Sequence, residues 1–110
     1  MATRTPKRMA GPLQLATGGA ATVYTVPTTR LYAIVRHIHV YNPIATGRSF
    51  SMSIGADAAG TRLFDLFLIF QQTVFDHYCY YVLAPGEIVQ AQDASGAAGL
   101  VLTMDGDEYS

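Results

Sequence analysis

Apolar residues in this chain fall into short runs, separated by turn residues at intervals of about ten, and helical spacing is nowhere sustained. The clearest signal lies at Ser49 to Ile54, where Phe50, Met52 and Ile54 alternate with Ser49, Ser51 and Ser53. Such alternation predicts a strand with one face on a core and a polar face outward. Further strands are predicted at Ala21 to Val26, ended by Pro27, and at Leu31 to Asn42, rich in β-branched and aromatic residues and stopped by Asn42 and Pro43. Gly55 to Gly60 reads as a loop of small residues. Arg62 to Phe70 is a nearly continuous apolar run with Asp65 as its only interior charge, the pattern of a strand buried on both sides, within the domain or against another subunit. Its Leu63, Phe64, Leu66, Phe67 and Phe70 also fit one side of a short helix.

Val74 to Leu83 follows as a strand, then Ala84, Pro85 and Gly86 make a turn into Glu87 to Gln92. Pro before Gly suits the central positions of a type II turn. A last strand, roughly Ala98 to Asp105, places Leu100, Leu102 and Met104 on one face and ends at Gly106. The first 20 residues have weak periodicity and contain Pro6, Gly11, Pro12, Gly18 and Gly19, so they read as an N-terminal arm with a short strand near Leu13 to Leu15. The prediction is an all-β chain: an arm over residues 1–20, then an antiparallel β-sandwich of seven or eight strands over 21–110, jelly-roll or immunoglobulin-like.

Charge sharpens this picture. Only 14% of the 110 residues are charged, against roughly a quarter in an ordinary soluble domain. A domain this small cannot hide most of its surface, so neutral and apolar groups must cover the outside, which predicts a homo-oligomer or a subunit of a larger particle. The net charge of −1 gives no reason to expect nucleic acid or an anionic membrane as partner. The charges are unevenly placed. Arg4, Lys7 and Arg8 precede the expected fold, while Asp105, Asp107 and Glu108 close it. Two solvated tails would explain that; so would a basic arm reaching an acidic terminus, or an acidic surface on an adjacent subunit. No apolar stretch is long enough for a signal peptide or a membrane span, so neither is expected.

Candidate chemistry is sparse. The one cysteine, Cys79, cannot form an intrachain disulfide, and its apolar setting predicts an inert, partly buried thiol. His37 and His39 lie two apart on a predicted strand and share a face, so they could hold one metal ion with His77 as a third ligand. The pair resembles the start of the cupin metal motif, but Asn42, Pro43, Ile44 and Ala45 stand where that family places its Glu. A polar strand face or a subunit contact is the expected role of these imidazoles, and no metal or cofactor is expected. Asp76, His77 and Cys79 stand in near succession, yet the Tyr-rich run around them reads as packing, not as a catalytic dyad. Gly18-Gly19 precedes a strand, not a helix, so no phosphate loop is expected. Tyr78, Tyr80 and Tyr81 form an aromatic cluster suited to a protein interface, to packing between sheets, or to a carbohydrate platform.

Several phrases taken together are familiar. They are Val23-Tyr24-Thr25-Val26-Pro27, Ala33 through Asn42, Ser53 through Leu63, Val82 through Ala91, and Gly106-Asp107-Glu108. In this order they resemble the small virion structural proteins of tailed bacteriophages, described as minor tail proteins or accessory proteins of the head or tail. The resemblance implies a β-sandwich without catalysis or cofactor, residing in the virion after assembly in the host cytoplasm. Its implied partners are copies of itself and other virion proteins. A minor tail or tail-tip protein joined by symmetric subunit contacts is the expectation, with capsid decoration the alternative within the structural class; from outside it come a receptor- or glycan-binding module and, after that, a metal-dependent sandwich enzyme. Arg4, Lys7, Arg8, Tyr78, Tyr80 and Tyr81 are the residues expected to make contacts.

Overall fold

A computed structural model describes residues 2–97 and 99–110. They form eight strands: β1 (Arg4–Gln14), β2 (Ala21–Thr25), β3 (Tyr32–Tyr41), β4 (Arg48–Ile54), β5 (Arg62–Ile69), β6 (Val74–Leu83), β7 (Ile88–Asp93) and β8 (Val101–Tyr109). Two four-stranded antiparallel sheets result, one in the order β1-β8-β3-β6 and the other β2-β7-β4-β5. Strands β1 to β4 pair in turn with β8, β7, β6 and β5, as if one long two-stranded ribbon were folded over on itself. The β8–β3 and β7–β4 ladders then close each sheet. The sandwich expected from the alternation is what forms, with no helix among the described residues and so none able to cross a membrane.

The core lies between the sheets. Val35, Ile38 and Val40 from β3, Phe50 and Met52 from β4, Val89 and Ala91 from β7, and Leu102 and Met104 from β8 are all at most 2% exposed. Burying such side chains is worth about 1.5–3 kcal/mol each. Phe50 and Met52 face inward as the period-two pattern requires. Ser51 and Ser53 face the other way but are buried too: the Leu66 amide of β5 donates to Ser51 Oγ at 3.0 Å, and Ser53 Oγ donates to the Gly55 carbonyl. The Ala84–Glu87 turn closes on a 3.1 Å bond from the Glu87 amide to the Ala84 carbonyl, with Gly86 at φ +81°, as a type II turn demands.

Four expectations change. The short strand near Leu13 is instead the eleven-residue β1, running from Arg4 and paired with β8 along its length, so most of the arm is an edge strand of the sheet. The last strand does not end at Gly106 but continues to Tyr109, because β1 and β3 flank it on both sides; Ala98, its expected start, lies outside the described residues. The acidic terminus is not a solvated tail: Asp107 and Glu108 are buried. Finally, Arg62–Ile69 is a strand, not a helix, but it is the edge of its sheet. Asp65, Leu66, Phe67 and Leu68 are exposed, so this chain alone does not bury the run on both sides.

Candidate functional site

The sandwich has two long sides, and they are finished differently. On one, β1 and β2 are the sheet edges. β1 carries Pro6, Pro12, three cations and two breaks of register, and β2 has only five residues and a break of its own. On the other, β5 and β6 are the edges, joined by the turn at 70–73. β5 is interrupted by two register shifts and by Leu66 at φ +52°. β6 runs for ten residues with no proline, a single charge at Asp76 and one register shift opposite β3. Charges, prolines, bulges and shortness are what keep sheet edges from pairing with other chains, and β6 is a long edge that carries few of them.

This side is also where apolar surface collects. Leu66, Phe67, Leu68, Phe70 and Val74 are exposed, Phe70 at 67%. Beneath them the gap between the sheets is filled by rings. Phe64 meets Phe50, Phe67, Phe75 and His77 at centroid distances of 5.2–5.8 Å, and Phe67 lies 4.7 Å from Phe75. Arg62 bonds to Asp57 at 2.9 Å and also to Asp65, so the one local cation is paired within the chain and the trio carries a formal charge of −1.

Strand alternation decides the fate of the tyrosine cluster. Tyr78 and Tyr80 point outward from β6, whereas Tyr81 points between the sheets and hydrogen-bonds His77 Nε2 through its hydroxyl at 2.9 Å. No three-ring platform forms. Tyr78 stacks on His37 with centroids 4.4 Å apart and planes 4° apart, and Arg36 lies over the Tyr80 ring at 5.2 Å. Cys79 shares the inner face, and burial pushes its thiol up to about 11, so it holds no thiolate at neutral pH.

The three histidines separate in the same way. His77 faces the interior and cannot join His37 and His39, which stand on the outer face of the sheet. The carboxylate absent after His39 in sequence comes from the neighbouring strand. Asp76 is opposite His39 in register, and its Oδ1 lies 2.7 Å from His39 Nδ1 and 2.8 Å from His37 Nε2. Both ring nitrogens donate to it, and those bonds, His39's first and then His37's, hold the Asp76 carboxyl below the usual carboxylate range. His37 turns its other nitrogen toward Asp105, with Nδ1 3.9 Å from Oδ2.

The basic residues of β1 meet the acidic end of β8 within the same chain. Arg4 pairs with Asp107 at 3.7 Å, joined by Arg36, and Lys7 reaches Glu108 at 3.8 Å. Arg8 stands opposite Asp105 in register. Glu108 is 1% exposed and points between the sheets, where it accepts from the Tyr24 hydroxyl at 2.6 Å and from Arg30 at 3.0 Å. Of the six contact residues expected from sequence, Tyr78 and Tyr80 remain exposed, while Arg4 and Lys7 are engaged inside the chain. The apolar run expected to be buried, within the domain or against another subunit, leaves Leu66, Phe67, Leu68 and Phe70 exposed on this chain. No protein-family model matches the chain, and no curated protein compared with it matches either.

Proposed function

We propose that this chain is a non-enzymatic structural subunit, a jelly-roll sandwich that assembles with further copies of itself through its β5–β6 side, as a component of a tailed-phage virion. The strand order 1-8-3-6 over 2-7-4-5, a ribbon wrapped over itself, supports a jelly roll over an immunoglobulin-like arrangement. The observation that carries the assembly reading is the apolar edge. A ten-residue strand with little edge protection runs beside exposed Leu66, Phe67, Leu68, Phe70 and Val74. Exposed apolar residues gathered at one edge are a common mark of a protein–protein contact surface.

A second copy is the occupant that fits. Arg62 is paired within the chain to Asp57 and Asp65, so apolar groups dominate this side, and two β6 edges can pair antiparallel about a two-fold axis. The low charge content and the resemblance to small phage structural proteins support placing the assembly in a virion as a minor tail or tail-tip protein, with capsid decoration the neighbouring alternative. A glycan-binding role would draw on Tyr78 and Tyr80, but His37 and Arg36 already cover a face of each ring.

Sedimentation velocity across a hundredfold range of concentration tests the assembly. The wild-type chain is expected to shift to a dimer or larger species, and a Phe70→Lys, Val74→Lys double variant to stay monomeric with an unchanged circular dichroism spectrum. A wild-type chain that sediments as a monomer throughout would sink the reading. Peptide mass spectrometry of purified particles tests the virion assignment separately.

A further inference from the structure

We propose that His37, His39 and Asp76 form a binding site for one divalent transition-metal ion of the zinc, cobalt and nickel class, on the open outer face of the β1-β8-β3-β6 sheet. One ligand atom from each residue lies within 4.8 Å of the other two. All three side chains are partly accessible, at 24%, 34% and 39%, so an ion can enter without opening the fold.

The backbone fixes the donors before any ion arrives. His37 and His39 project from one face of β3, and Asp76 stands across from His39 on the hydrogen-bonded β6, so all three positions are held by sheet, not by loop. Two imidazoles and one carboxylate are a borderline donor set, suited to zinc and its neighbours and ill suited to calcium or magnesium, which take oxygen ligands. The outer contacts match what metal-bound histidines use. Asp105 sits near the far nitrogen of His37, and the Tyr78 ring, stacked flat on His37, limits rotation of that imidazole.

Metal uptake is a simple exchange. In the metal-free chain the two ring N–H groups converge on one oxygen of Asp76. To bind, each neutral ring carries its proton on the opposite nitrogen, toward Asp105 for His37 and toward solvent for His39, and the freed lone pairs face the ion together with the carboxylate. Three protein ligands leave a fourth tetrahedral position, which water fills on this open face. The bound ion ties β6, the edge strand, to β3.

Isothermal titration of zinc chloride into the tag-free chain at pH 7.5 is expected to show one equivalent bound, and cobalt is expected to give visible absorption bands of tetrahedral coordination. His37→Ala and His39→Ala should each weaken zinc binding by at least about tenfold. His77→Gln, an imidazole removed from the opposite face, should leave it unchanged. The proposal is overturned by a wild-type chain that shows no saturable uptake up to about a millimolar. Uptake that survives loss of His37 and His39, or that falls equally with His77, overturns it as well. Because the three variants leave Leu66 to Val74 intact, their sedimentation reports on self-assembly independently.

Discussion

Two residues of β8 show how much depends on positions with little sequence signal. Gly106 looks like a strand terminator, yet it sits mid-strand between β1 and β3, where an added Cβ would lie 2.1 Å from the Ile34 carbonyl oxygen and 2.7 Å from Met9 Cε. Glycine is there because the neighbouring backbone comes too close for any side chain. Gly106→Ala is therefore expected to cost about 2–3 kcal/mol in urea denaturation, the scale of core overpacking; a loss below about 0.5 kcal/mol would show that β3 yields easily. Glu108 is the second case. Burial pushes its carboxyl up, but the Tyr24 hydroxyl, Lys7 and Arg30 together outweigh that and hold it below the usual carboxylate range. A group depressed in this way adds stability above its unfolded value of about 4.3, and the contribution fades as pH falls through the folded value. The gap between wild type and Glu108→Gln should accordingly be about 2 kcal/mol at neutral pH, the scale of a hydrogen bond to a charged group, and shrink below about pH 4. A gap that stays constant down to pH 3 would mean that the carboxylate's charge contributes nothing.

Strands were legible in the sequence where apolar and polar residues alternate, as Phe50, Met52 and Ile54 do with Ser49, Ser51 and Ser53, and where a turn had specific chemistry, as at Pro85-Gly86. β1 was not, because Arg4, Thr5, Pro6, Lys7 and Arg8 lie on an edge strand that buries little until Met9 and Ala10. Its pairing with β8 is visible only once the fold brings Asp107 and Glu108 beside it. The His37–His39–Asp76 cluster was half legible: spacing gave the two imidazoles, but the carboxylate came from cross-strand register, which no local pattern encodes. The arm reading implied that the first ten residues could be removed from an intact sandwich. The ladder argues otherwise, since their removal exposes one edge of β8, uncovers the core at Met9 and Ala10, and takes Lys7 from Glu108. Deleting them is expected to cost at least about 3 kcal/mol in burial and pairing. A thermal midpoint unchanged by the deletion would return β1 to the status of an arm.

At the scale of the whole molecule, the two exposed regions make opposite claims about the forces that join copies. The outer face of the β1-β8-β3-β6 sheet is laced with charge, from Arg4, Arg36 and Asp107 to His37, His39, Asp76 and Asp105. Contacts made there would weaken as salt rises, because at 1 M the screening length falls to about 3 Å. The β5–β6 side presents Leu66, Phe67, Leu68, Phe70 and Val74 beside the internally paired Arg62, Asp57 and Asp65. Association through it rests on apolar burial and main-chain pairing, which screening barely touches. Raising sodium chloride from 50 mM to 1 M is thus expected to leave the self-association constant within about threefold. Amide hydrogen exchange should then slow along β6 as concentration rises, with β1 unaffected. A collapse of association at 1 M salt, or protection that appears on β1 and spares β6, would move the interface to the charged face and undo the assignment of the β6 edge.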